Sequence, residues 1–309
     1  MKRNICSLVS GLAASTLVVS LVACSNQGPG SHNGATSTQP TIGLSISTLN
    51  NPFFVSLRDG VQAEATAKGM KLISVDAQDD PAKQIAGVED LIQKKIQVLL
   101  INPTDSDAVA NVVKEATGAG IKVISLDRRV NGAEVSAHVG SDNATGGKMA
   151  ADFLLQKIGD KGNIVELEGT PGSSAARERG EGFDSAIDGK AGVKVVARQP
   201  ADFDRAKGLS VMENILQHSK NVQGVFAQND EMALGALRAI QEDGLKNVIV
   251  VGFDATADGV AAVKAGKLAG TVQQKPEMIG KLGVDAAQSL IEGLSVEKNI
   301  PVPLALVTE

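Results

Sequence analysis

Short β-branched runs at 42–47, 71–75, 98–101 and 122–126 are bounded by turn residues and separated by stretches of helical period. Apolar side chains in these stretches fall at three- and four-residue spacing: Phe54, Leu57, Val61 and Ala65, then Ile85, Val88 and Ile92, then Val109, Val112, Val113 and Ala116. Strand-length segments alternating with helix-length ones predict a parallel sheet covered by helices. The punctuation agrees. Asp80-Pro81 offers an N-cap followed by a first-turn proline, and Gly69 and Gly120 stop helices just before strands. The pattern then starts again, with strands at 163–167, 193–197, 222–227 and 248–253 and helices near 177–187, 205–216 and 231–242. The join falls at Gly140-Ser141-Asp142-Asn143, before a helix over 144–158. About 270 residues after Pro40 suffice for two modest domains. The expected fold is α/β, two Rossmann-like lobes with parallel sheets and a cleft between them.

In open parallel sheets a ligand sits beyond the carboxyl ends of the strands, so the residues there matter most. The first strand runs into Asn50-Asn51-Pro52-Phe53-Phe54, and two adjacent Phe at a helix start point different ways, so at least one faces the cleft. The fourth ends in Asp127-Arg128-Arg129, either a local ion pair or a planar acceptor and donor for vicinal hydroxyls. Ser173 to Gly180 puts arginine in the first turn of a helix, against the macrodipole, which implies another use for it. Later strands deliver Asp202-Phe203-Asp204, Gln228-Asn229-Asp230, Phe253-Asp254 and, after 270–272, Gln273-Gln274-Lys275. Tyr and Trp are absent and Phe is scarce, so these Phe stand out. Donors, acceptors and apolar faces converging in one cleft suit a small neutral polyol.

The runs Ser47 to Leu57, Leu100 to Val109, Ala175 to Phe183, Gln199 to Arg205 and Val225 to Arg238 resemble the bacterial D-ribose-binding family. That family lies within the two-lobed periplasmic-binding-protein superfamily of type I, and the resemblance covers essentially the whole chain after Pro40. It implies that Asn51, Asp127 and Arg128 of one lobe and Arg179, Asn229, Asp254 and Gln274 of the other bond sugar hydroxyls. Phe53 and Phe54 on one side and Phe203 on the other would sandwich the pyranose ring. Asn131, Lys190 and the C-terminal strand depart from the family pattern, away from this shell. Three hinge crossings are implied, near Ser141-Asp142, Gln274-Lys275 and Val302-Pro303, with 276–293 a helix returning to the first lobe. The expected lobes are 41–141 plus 275–302 and 142–274 plus 303–309. The implied partners are D-ribose and an ABC-type permease, with a chemoreceptor left open and a monomer expected. Allose, galactose or a ribose-like signalling furanone are the rival ligands.

Lys2 and Arg3 precede an apolar stretch over 8–22 that is too short for a comfortable membrane span and reads as a signal h-region. Its end, Leu21-Val22-Ala23-Cys24, resembles the lipobox of bacterial lipoproteins, which implies cleavage after residue 23 and lipidation of Cys24. Residues 24–40 are then the lipidated Cys and a flexible polar tether, and the product is exported and anchored at the cell envelope. Cys6 lies in the leader, so the mature chain would hold no thiol for catalysis or metal binding. No enzyme constellation, metal site or cofactor motif is found. His32 sits in the tether, His138 in a strand and His218 at a helix end, and no nucleophile elbow or phosphate loop appears. A net charge of -5 without a Lys/Arg-rich block argues against nucleic acid. A repressor's sugar-sensing domain would need a helix-turn-helix where this chain has a leader. Asn143-Ala144-Thr145 matches a glycosylation sequon only as a chance pattern.

Overall fold

The computed structural model describes residues 39–308. The leader, Cys24, the tether to residue 38 and Glu309 lie outside the described residues. The chain runs β1 (Thr41–Ile46), α1 (Pro52–Ala67), β2 (Lys71–Asp76), α2 (Pro81–Gln93), β3 (Val98–Ile101), α3 (Ala110–Gly118), β4 (Lys122–Leu126) and β5 (Ala137–Gly140). It continues through α4 (Asn143–Ile158), β6 (Gly162–Glu168), α5 (Ser174–Ile187), β7 (Val193–Pro200), α6 (Arg205–His218), β8 (Gly224–Ala227), α7 (Asp230–Glu242) and β9 (Ile249–Asp254). The last elements are α8 (Ala257–Lys264), β10 (Gly270–Gln273), α9 (Pro276–Ile291), β11 (Asn299–Pro301) and β12 (Ala305–Thr308).

Two six-stranded sheets form, ordered β11-β5-β4-β3-β1-β2 and β12-β10-β9-β8-β6-β7. Their strand orders correspond, and each reverses direction beside its first strand, the switch point where α/β sheets open a crevice. Each sheet is covered on both faces. Leu44, Leu100 and Ile124 face one core of the first sheet, while Leu99, Ile101 and Val123 face the other. In the second sheet Val165, Val225 and Val250 alternate similarly with Ile164, Phe226 and Val251. Burial on both faces explains why these strands read as continuous apolar runs.

The chain crosses between sheets three times. β5 ends in the first sheet and α4 packs on the second, β10 ends in the second and α9 packs on the first, and β11 and β12 belong to different sheets. Val302 still donates to the Gly140 carbonyl at 2.9 Å, and Leu304 already packs in the second core. The sheets are not wholly parallel, because β12 is antiparallel to β10. β11 runs towards the cleft, so a chain that crosses there must leave it in the opposite direction to the other strands.

Three helix pairs meet backbone to backbone through glycine, one from each helix: Gly60 with Gly280, Gly147 with Gly182, and Gly208 with Gly235. A Cβ at any of the six would overlap backbone of the facing helix. Glycine inside a helix is intrinsically unfavourable by about 1 kcal/mol relative to alanine, so close packing is what retains it. The capping expected at Asp80 is present, its Oδ1 accepting from Ala82 at 2.8 Å and from Lys83 at 3.3 Å. Helix α5 starts at Ser174, three residues earlier than the sequence pattern suggests, because small residues carry its first turn. Arg179 thereby moves into the second turn, and the macrodipole argument no longer singles it out. The short α8 and β11 had no clear periodic signal.

Glu166 is one of the buried carboxyls expected to make stability depend on pH. Glu166 on β6 has no exposed side-chain surface, and its Oε2 lies 2.6 Å from Nε of half-exposed Arg198. Burial outweighs that partner and pushes the carboxyl up to about 7. A folded value above the unfolded one contributes stability that is fully present below about 4.5 and lost as pH rises through about 7. Glu166→Gln removes that dependence. The melting temperature of the variant relative to wild type should therefore rise between pH 5 and pH 8, by an amount equivalent to up to about 3 kcal/mol. A pH-independent difference would show that Glu166 does not titrate there.

Candidate functional site between the lobes

The ten residues expected to contact a ligand all line one cavity, together with Ala175. All but Arg179, in the second turn of α5, are delivered by a strand end, the segment just past it or the helix start that follows it. Asn51 caps α1, its Oδ1 accepting from the Phe53 amide at 2.9 Å. Phe53 and Phe54, in the first turn, lie edge to face with centroids 5.2 Å apart, and both line the cavity. Asp127 and Arg128 follow β4, and Asp254 ends β9 with Gln274 just past β10. Asn229 caps α7 by accepting from Met232 at 2.9 Å, and its Nδ2 donates to the Phe203 carbonyl at 3.1 Å. Cys24 lies outside the described residues.

The two arginines are held from behind. Arg128 donates to the Pro103 carbonyl at 3.0 Å, and its guanidinium lies 4.9 Å from the Phe54 ring centroid and 5.4 Å from that of Phe203. Arg179 donates through Nε to Asn143 Oδ1 at 2.9 Å and through Nη1 to the Gln228 carbonyl at 2.7 Å. Its guanidinium stacks 3.8 Å from the Phe253 centroid, a cation–π arrangement. Each arginine faces a carboxylate: Arg128 Nε lies 3.9 Å from Asp127, and Arg179 Nη1 lies 3.8 Å from Asp254.

Burial dominates the ionisation of all four. It raises Asp127 and pushes Asp254 up to about 8, in each case against the pull of the neighbouring arginines. It lowers Arg128 and Arg179, which the carboxylates oppose. These charges carry fewer hydrogen bonds than their burial calls for. Asp127 Oδ1, Arg128 Nε and Gln274 Oε1 are buried without a hydrogen-bond partner, while Asp127 Oδ2 accepts from Asn102 at 3.2 Å and Gln274 donates to Asp254 at 2.9 Å. A buried polar group left unpaired costs about 1–3 kcal/mol, so a donor and two acceptors unpaired on residues that line one cavity suit a ligand with hydroxyls. Asp127, Phe203 and Asp254 also have positive φ, at 60°, 59° and 108°. Such backbone strain in side-chain-bearing residues collects at binding and catalytic sites.

Several supports escaped the sequence reading. Ala175 also lines the cavity. Asn102, Asn143 and Gln228 hold Asp127 and Arg179 without lining the cavity; of these the sequence pattern marked Gln228, as a strand-end residue, but not its supporting role. Asn143 is buried, which agrees with the sequon being a chance match. The lobes also touch directly. Ser106 donates its amide to the Gly172 carbonyl at 3.0 Å, and the Arg129 amide donates to Ser174 Oγ at 2.8 Å. His138 is buried against Ser125 Oγ at 2.9 Å and held near 3 by desolvation, so it is neutral and structural, and His218 contacts a helix carbonyl. Among the described residues no cluster of His, Cys, Asp and Glu could hold a metal ion.

A model of the periplasmic binding protein domain matches residues 42–295. The chain is 53% identical over 277 residues to the ribose import binding protein of Haemophilus influenzae, covering 90% of this chain and 94% of that one. It is 51% identical to the ribose import binding protein of Bacillus subtilis, covering 94% and 95%. Among solved structures, a periplasmic solute-binding protein of an ABC transporter from Actinobacillus succinogenes with bound D-allose superposes with a TM-score of 0.82. That pair shares 33% identity over 87% of this chain and 98% of the other.

Proposed function

The chain belongs to the periplasmic binding protein family, and from that premise we propose that its cleft captures D-ribose for an ABC-type sugar importer. It is a solute-binding component and not an enzyme. The observation that carries the ligand class is the trio of orphaned polar atoms, Asp127 Oδ1, Arg128 Nε and Gln274 Oε1, on residues that line one cavity together with Phe54 and Phe203. Sugar hydroxyls satisfy the polar atoms and the ring's C–H faces meet the aromatic walls. An epimer with one hydroxyl displaced leaves a buried partner dry, which is the physical source of selectivity. Asn51, Phe53, Phe54, Asp127, Arg128, Arg179, Phe203, Asn229, Asp254 and Gln274 are the proposed sugar contacts.

Residues 41–141 plus 275–302 form one proposed lobe and 142–274 plus 303–309 the other. Because each lobe supplies half the contacts, sugar favours the closed arrangement in proportion to its differential affinity for it. The permease reads that closed form, and the protein works as a monomer. A chemoreceptor reading the same form would add a second output. Export is a property of the family. The finer reading is cleavage before Cys24, lipidation of that residue and attachment through the 25–40 tether. Cys24→Ser should release the protein from membranes and abolish fatty-acid labelling, and a variant still anchored and labelled overturns this reading.

Calorimetric titration with D-ribose, D-allose, D-galactose and D-glucose tests the ligand, since Trp and Tyr are absent and intrinsic fluorescence is weak. The expected result is tight one-to-one binding of ribose and at least about hundredfold weaker binding of the others. Tight binding of allose with none of ribose keeps the fold and overturns the ligand.

A further inference from the structure

We infer that Glu166 and Gln228, neither of which lines the cavity, are positioning residues that hold the second lobe's half of the sugar site. Gln228 follows β8 and Glu166 lies on the adjacent β6, both fully buried. The Gln228 amide is bonded at both ends. Its Oε1 accepts from the Gly169 amide at 2.8 Å, and its Nε2 donates to Glu166 Oε1 at 2.8 Å. A backbone N–H can only donate, so Oε1 must face Gly169, and Nε2 must then find an acceptor on the opposite side. Glu166 supplies it. Flipping the amide would set donor against donor at Gly169 in a site closed to water.

Two proposed sugar contacts rest on this arrangement. The Phe203 ring lies directly on Gly169, so close that a Cβ there would overlap it, and the position of the aromatic wall follows that of the Gly169 backbone. The Gln228 carbonyl accepts from Arg179 Nη1 at 2.7 Å, so the same residue aims the guanidinium. The groups facing Glu166 besides Gln228 are Arg198 on β7, Glu168 on its own strand and Asp184 on α5. Arg198 is half-exposed and shared with Asp184, so the ion pair is not what orients Gln228.

The inference rests on the sugar-binding reading, and its test separates the two. In purified protein at pH 8, Glu166→Leu should raise the Kd for D-ribose about tenfold, whereas Glu166→Gln, which keeps an acceptor and loses the charge, should stay within about twofold. Independently of any sugar, amide hydrogen exchange at Gly169 should quicken at least about tenfold in Glu166→Leu and not in Glu166→Gln. A folded Glu166→Leu with wild-type affinity and exchange overturns the inference, as does a Gln variant that tracks the Leu one. If Glu166→Leu does not fold, Gln228→Met carries the same expectations. If wild type fails to bind ribose, the ligand reading falls and the Gly169 exchange comparison still decides the inference.

Discussion

Arg179→Ala raises the Kd for D-ribose about a thousandfold while leaving the protein folded. Hydrogen bonds from a charged donor are worth about 1.5–3 kcal/mol each, so two lost from one guanidinium amount to two to four decades of affinity. The loss spreads to Asp254, whose countercharge lies 3.8 Å away. Burial already pushes that carboxyl up to about 8 against the pull of Arg179, so removing the arginine raises it further. Arg238→Ala, on the exposed face of α7 and paired with Glu242, should leave affinity within about twofold. Calorimetry reads both variants, and an Arg179→Ala protein within tenfold of wild type removes Arg179 from the ligand shell.

Gly147→Val should lower stability by about 3 kcal/mol, the upper end of overpacking costs, and the melting temperature by about 6–12 °C. The new side chain meets the backbone of Arg179 across the α4–α5 contact, and backbone cannot swing aside as a flexible side chain can. The helices must separate, which displaces the segment that carries Arg179 into the cavity. Ribose affinity should fall along with the melting temperature, coupling packing to function at one position. Gly118→Ala is the control, since nothing lies within 4 Å of the added methyl at the end of α3. It should be neutral or stabilising by about 0.5–1 kcal/mol. A Gly147→Val protein that melts like wild type would mean that the two helices are not in backbone contact.

The alternation of β-branched runs with helical periods determined the two α/β halves, because burial on both faces leaves the central strands mostly apolar while the covering helices keep their 3.6-residue period. Polar and aromatic residues at strand ends marked the site for the same reason. Inside a strand such residues would sit in a core, so their place just beyond it implied the open carboxyl edge. The resemblance to sugar-binding proteins then gave each residue its role. Sequence pattern was silent on α8 and β11, which are too short for a period to show, and it placed the start of α5 late because its first turn is Ser and Ala. It also gave no hint that Glu166, Gln228 and Gly169 act as one unit. Those residues lie on neighbouring strands or in the turn beyond, and parallel pairing alone sets which side chains of different strands stand side by side. The sequence by itself determined which residues reach the cleft. The tertiary structure decided which of them are left unpaired there, because a missing hydrogen-bond partner exists only once every neighbour in space is fixed.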